Sequence, residues 1–344
     1  MCFRSLARIA AVFGVVYFLG ACKFGLDVGL PPVFSGLGVS NLASVLVGSA
    51  AEEEPFPVQR LSYVGAGQKR LRILAAGIDG SEKAKPALLF FHGGFWAKGN
   101  PDEYQVVIRQ AAKAGYAAFS VEYHLSGDPG GRWPAQLADA RCAVRWVRSN
   151  ADFLGVDPRR IGVSGFSSGG HLALMLALAE EAYPKLDDCK ELGEPASVLA
   201  VVAVSPPVDV CDFYLSGFKG GAEKSIAAIS VEGLLGLSNS EDVLAACGKL
   251  SPAGYFDAGD NVPMLTLRGS LDGVVQGAQV AGLARKEGAK SGYWQHVEFW
   301  LGTHMWVGPY AVAAAKSRLA FFDYHLRSLG DEPDSCELYP FCLF

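Results

Sequence analysis

The stretch RIGVSGFSSGGHLALMLAL, residues 160–178, decides how the rest of the chain is read. Its first half, Arg160–Gly165, has the β-branched, apolar character of a strand, and its second half, from Ser168, has that of an apolar helix. Between them stands Gly165-Phe166-Ser167-Ser168-Gly169, the only G-x-S-x-G in the chain. A strand-to-helix turn this short forces its central residue into a strained backbone geometry, so small residues must flank it. The turn then presents the serine oxygen at the C-terminal end of the strand, beside a helix N-terminus.

Working outward, strand-like and helix-like runs alternate from Val58 onward, the pattern of a largely parallel α/β sheet. Strands are expected at Gln59–Val64, Leu71–Ala75, Ala87–His92, Ala117–Tyr123, Arg160–Gly165, Val198–Ser205, Val262–Arg268 and Trp294–Trp300. Helical patterns fall at Glu103–Ala114, Pro134–Asn150, Ser168–Tyr183, Val275–Glu287 and Tyr310–Ser328. The Ala87–His92 and Val198–Ser205 runs are apolar throughout, as central strands covered on both faces must be. Pro206 to Leu250, rich in Gly, Ser and Cys, interrupts the alternation and reads as a loop-rich lid or pocket wall.

His92-Gly93-Gly94-Phe95-Trp96 closes another central strand. Acyl transfer needs donors aimed at the oxygen of a tetrahedral intermediate, and glycines let backbone N–H groups approach it. The donors read from the sequence are the N–H groups of Gly94, Phe95 and Ser168, with His92 as a residue that holds the loop. A serine nucleophile also needs a histidine base and a carboxylate to orient it. Asp272 and His304 each lie just past a strand, on the edge that carries Ser167. Asp209, after Val198–Ser205, is the rival acid; Asp257 and Asp260 precede a strand and sit at the wrong end. His171, His296 and His325 read as packing or surface histidines.

These blocks carry a resemblance. HGGFWAKGNPDEY (92–104), VEYHL (121–125), GFSSGGHLAL (165–174) and SLDGVV (270–275) resemble the α/β-hydrolase superfamily, in its esterase/lipase branch with an HGG oxyanion loop. Within that branch they resemble the short acetyl- and feruloyl-esterase-like enzymes, and they are also similar to kynurenine formamidases. The resemblance implies Ser167 as nucleophile, Asp272 and His304 as its partners, Gly94 in the oxyanion hole, no cofactor and a small-molecule ester as substrate. An arylformamidase or amidase on the same residues is the alternative, and a non-catalytic binding protein a more distant one. Two departures bear on pocket shape. Phe95 replaces a third glycine and, with Trp96, projects bulk beside the loop, which favours short acyl chains; His124 stands where such esterases often have Arg. Trp96 and His124 are therefore expected at the substrate pocket.

Composition excludes other classes. The 344 residues are 50% hydrophobic and 19% charged with net charge −5, which rules out disorder and leaves no cationic excess for nucleic acid. Eight cysteines show no CxxC and no zinc-like spacing with histidine, so no metal site is expected. Cys336 and Cys342 are expected to pair, as are two of Cys189, Cys211 and Cys247, whereas Cys142, on a periodic helix, reads as a buried thiol.

The N-terminus reads as a targeting segment. Arg4 and Arg8 precede an apolar run from Ile9 to Gly20 that ends in Leu19-Gly20-Ala21-Cys22. These are the parts of a secretory signal, and the last four residues resemble a bacterial lipobox. A plain signal cleaved later and an uncleaved anchor are the other two readings. Residues 1–22 are thus a signal peptide, 23–54 a tether, 55–329 the catalytic domain and 330–344 a tail, with the protein placed extracytoplasmically, lipid-anchored or secreted. Metabolic labelling with a palmitate analogue should tag the wild type and not Cys22→Ala. An unlipidated mature N-terminus downstream of Cys22 would exclude the anchor.

Overall fold

The computed structural model describes residues 56–78, 83–183, 189–190, 193–218, 224–256, 262–277, 279–280 and 293–330. They belong to a compact unit, Pro55–Phe344. The expected signal peptide and tether, Asp257, Asp260, most of the Val275–Glu287 run and the Cys336/Cys342 tail lie outside the described residues.

One eight-stranded sheet forms the centre, in the order β1-β2-β4-β3-β5-β6-β7-β8. The strands are β1 (Gln59–Val64), β2 (Arg70–Ala76), β3 (Lys85–Phe91), β4 (Ala117–Val121), β5 (Val156–Phe166), β6 (Ala200–Val204), β7 (Met264–Gly269) and β8 (Trp294–Phe299). β1, β2 and β4 pair antiparallel in succession, and from β4 to β8 every pairing is parallel. This is the α/β-hydrolase fold. All eight expected strands are present, β5 starting four residues earlier than its apolar run predicts.

Alternation along the strands divides the core in two. Ala87, Leu89 and Phe91 face one layer with Leu137, Val144, Leu172 and Leu174. Leu88 and Phe90 face the other, with Ile108, Phe321, Phe322 and Leu326. The first layer is made by helices α2 (Ala135–Ser149) and α3 (Ser168–Leu178), the second by α1 (Gln105–Lys113) and α7 (Pro309–Arg327). Strands of period two buried on both faces account for the continuous apolar runs of β3 and β6.

Register then fixes where the loops emerge. Phe91 sits beside Gly165, Phe166 beside Val204, Val204 beside Leu267 and Gly269 beside Phe299. The segments that follow β3, β5, β6, β7 and β8 therefore open on one edge, the C-terminal edge where parallel sheets place their sites.

The insertion after β6 is helical where a loop-rich segment is expected. It contains α4 (Val210–Ser216), α5 (Ile226–Leu235) and α6 (Ser240–Cys247). Each starts on a polar cap: Asp209, Ser225 and Asn239 accept from the N–H of Asp212, Ala227 and Glu241. Gly and Ser in this segment thus punctuate short helices; they do not dissolve them.

The cysteines also correct the reading. Cys142 is no free thiol: it is bridged to Cys189, 47 residues on, with the Cα atoms 5.6 Å apart. Cys211 pairs with Cys247 across α4 and α6, Cα to Cα 5.2 Å. Both Cα separations suit a disulfide. Peptide mapping under denaturing, non-reducing conditions should recover 142–189 and 211–247 as linked peptides. Replacing Cys142 and Cys189 by Ala should lower the unfolding free energy by about 2–5 kcal/mol. Alkylation of either residue without prior reduction would contradict the bridge.

Candidate active site

β5 ends at Phe166 and α3 begins at Ser168, leaving Ser167 alone to turn the chain. It does so at φ 53° and ψ −120°, a region that costs a non-glycine residue ~1–3 kcal/mol unless its surroundings enforce it. Here they do. The Ser167 N–H donates to Val204 O at 2.8 Å, and Ser167 O accepts from His171 N–H at 3.0 Å. A Cβ on Gly165 would lie 2.2 Å from Gly169 C, and one on Gly169 2.1 Å from Phe91 O, so only glycine lets the turn close.

Ser167 Oγ lies 3.1 Å from His304 Nε2, and His304 Nδ1 lies 2.8 Å from Asp272 Oδ2. All three side chains are buried, at 5%, 8% and 6% exposure. With Nδ1–H donating to the carboxylate, the Nε2 lone pair is free to accept the Ser167 hydroxyl proton. Asp272 Oδ1 accepts from the N–H groups of Val274 and Val275, 2.9 Å each. Burial pushes the Asp272 carboxyl up, but the hydrogen bond and charge of His304 and these two N–H groups outweigh it. The carboxyl is held below its ordinary range and stays ionised.

The loops carrying Asp272 and His304 are tied directly to each other. Leu271 N–H donates to Gly302 O at 2.8 Å, and Leu301 N–H to Ser270 Oγ at 2.9 Å. A Cβ on Gly269 would sit 2.2 Å from Gly302 O, so the approach depends on that glycine. Phe166 packs its ring 5.0 Å from His304, and Trp306 Nε1–H donates to Ser205 Oγ at 3.1 Å, fixing the loop on its far side.

Gly94, Phe95 and Trp96 all have positive φ, at 127°, 58° and 58°. Gly94 O accepts from the N–H groups of Ala97 and Lys98, which curls the loop. Among the described residues no acceptor meets the N–H of Gly94 or of Phe95. Ser168 is the first residue of α3, where an N–H has no intrahelical acceptor, and it brings the positive end of the helix with it. His92 stacks on Tyr123 with centroids 4.3 Å apart; its Nδ1–H donates to Gly93 O, and Tyr123 Oη–H donates to His92 O. His92 braces the loop from behind.

Other residues fall elsewhere. Trp96, expected at the pocket, is 1% exposed and turned into the core, where Nε1–H donates to His171 Nδ1 at 3.2 Å. A left-handed backbone at Trp96 aims its ring inward. His124, also expected there, is buried at 4% exposure and held by Asp139, whose Oδ2 accepts from both its backbone N–H and its Nδ1–H. Asp209 caps α4. His296 sits beside Thr266, and His325 against the rings of Phe321 and Tyr324.

The roles of two buried residues are not legible in the sequence. Asp139 also accepts from Ala66 N–H and so ties three segments together; a carboxylate on the apolar stripe of α2 was the available signal. His171 accepts from Trp96 while its Nε2–H donates to Leu250 O at 2.7 Å, so one imidazole joins the loop after β3 to the end of the insertion. Only the neutral ring can do both.

Burial lowers His92 and His171 alike, from 6.5 to about 4, against the opposing hydrogen bonds to Gly93 and Leu250. In that window the unfolded chain binds more protons than the folded one, so stability is complete above 6.5 and is lost as the pH falls toward about 4. Urea unfolding across this range should show the decline. His171→Gln should make it shallower by up to one proton, about 1.4 kcal/mol per pH unit. An unchanged slope would mean that His171 titrates normally.

The chain is 35% identical over 128 residues to Esterase LipC of Mycobacterium tuberculosis, covering 37% of this chain and 31% of that protein. It is 34% identical over 138 residues to ethyl acetate hydrolase of Pseudomonas putida, covering 39% and 42%. The chain thus spans about a third to two fifths of the length of these relatives. In fold it is similar to Thermogutta terrifontis esterase 2 with propionate bound, with a TM-score of 0.62 at 24% identity, over 81% of this chain and 96% of that one. The BD-FAE family profile matches residues 78–286, more than half of the chain, and the protein belongs to that family.

Proposed function

We propose that this protein is a serine carboxylesterase acting on short to moderate acyl esters. The observation that carries the reading is the continuous chain from Ser167 Oγ through His304 to Asp272, at 3.1 and 2.8 Å. In this reading Ser167 Oγ attacks the ester carbonyl while its proton passes to His304 Nε2. The carbonyl oxygen becomes an oxyanion facing the N–H groups of Gly94, Phe95 and Ser168. Collapse expels the alcohol, which takes the proton back from His304. Water, deprotonated by the same imidazole, then cleaves the acyl-enzyme and releases the acid.

Each part carries a recognisable share of the rate. A general base contributes typically ~10²–10⁴-fold, and a single oxyanion donor about 10²–10³-fold. The mechanism calls for no cofactor. Phe95 supports the short-acyl reading: it is half-buried, with its ring 6.5 Å from Phe213 of α4, and it narrows the space beside the loop. The names of the curated relatives favour esters over the arylformamidase alternative.

Ser167→Ala and His304→Ala should each lower kcat/KM for p-nitrophenyl acetate by about 10⁴-fold or more with the circular dichroism spectrum unchanged. Since both remove a participant in one step, the double variant should be little worse than either single one. Asp272→Asn should also be severely impaired through the wrong imidazole tautomer. Turnover of N-formylkynurenine in preference to p-nitrophenyl esters would move the assignment to the amidase, and retained activity in Ser167→Ala would remove the mechanism.

A further inference from the structure

A cavity of about 340 Å³ lies between α1 and α7, beside the loops that carry Ser167 and His304. Its size falls within the range of small-molecule sites. Val106 and Val107 supply one wall. Ala311, Ala314, Ala315 and Arg318 supply the other, at the spacing that puts residues on one helix face. Three alanines are too short to fill the groove between the helices, and the fourth member of the row is a cation. Phe166, Met305 and Trp306, neighbours in sequence of Ser167 and His304, close the end toward the catalytic edge.

Arg318 is the anomaly. Its guanidinium lies over the Phe90 ring, 5.2 Å from the centroid. Among the described residues no carboxylate, carbonyl or hydroxyl oxygen accepts from it. A ring face attracts the charge but satisfies none of its five N–H donors. Burial pulls the group below its ordinary range, and the Tyr104 hydroxyl is the one acidic group that opposes this. Arg318 is half-buried and lines the cavity, so a ligand's anion can supply the acceptor that the ring face does not.

We infer that this cavity binds an apolar carboxylate, its charge on Arg318 and its hydrocarbon body between α1 and α7. The walls explain the body and the guanidinium the head: a planar fork matches the two oxygens of a carboxylate. A neutral ligand would leave the cation unpaired, and a polar anion would strip its own water against alanine and valine.

The binding test does not depend on hydrolysis. Sodium hexanoate titrated calorimetrically into Ser167→Ala protein should bind, whereas hexanamide, its neutral counterpart, should not. Adding Arg318→Met should weaken hexanoate by about ten- to a hundred-fold, the share of a hydrogen bond to a charged group. Arg318→Lys should recover part of it. Should Arg318→Met fail to fold, Ala315→Phe, which fills the groove and leaves the cation, should abolish binding instead. Equal affinity for hexanoate with and without Arg318, or for hexanamide and hexanoate, would overturn the inference, as would absence of binding.

Such a carboxylate has two sources: an acid set free in solution, or a second carboxylate on an intact ester. This distinction rests on the esterase reading, and kinetics separate the two. If the group belongs to the substrate, Arg318→Met should raise KM for monomethyl adipate and not for methyl hexanoate. If it is a free acid, the two esters should respond alike while hexanoate binding is still lost.

Discussion

The candidate chemistry hangs on one residue kept in a backbone conformation it would not choose. Ser167 at φ 53° is tolerable because β5, β6 and α3 all hold it: Val204 takes its N–H, His171 gives to its carbonyl, and two glycines let strand and helix close around it. The strain is met by the sheet, whose parallel register brings β3, β5 and β6 to a common edge. Remove that register and the serine falls back into an ordinary turn with its oxygen pointing nowhere useful.

The same edge solves a second problem, that of bringing together groups 32 and 137 residues apart. Neither His304 nor Asp272 is placed by a helix or a strand. Both stand on loops, and loops are precise only when they are tied. The ties are main-chain contacts at Gly269 and Gly302 and the Asp272 hydrogen bonds to Val274 and Val275. The carboxylate thereby has its orientation fixed before it meets the imidazole.

Most of this was legible in the sequence because it rests on short-range patterns. Strand periodicity, the G-x-S-x-G turn and the His-Gly-Gly loop are local statements, and each strand end located one member of the site. What was not legible depended on long-range packing. Trp96 follows two positive-φ residues, and nothing in its neighbourhood says that the ring turns inward to His171. Cys142 meets Cys189 only because the segment after α3 returns over α2, a path that spacing does not encode. The insertion differs for another reason: its caps at Asp209, Ser225 and Asn239 are local signals, but the many Gly and Ser residues around them mask the short helices they start. Arg318 shows the converse limit. Its row of alanines is plain in the sequence, while the want of an acceptor appears only in three dimensions.

The contact between His171 and the insertion ends on a main-chain oxygen, that of Leu250. Every amino acid supplies that oxygen, so the link depends on the path of the chain and not on its composition. The insertion can therefore vary in sequence while the link from His171 to the loop after β3 persists. The join survives any substitution of the side chain at 250 that leaves the main chain in place.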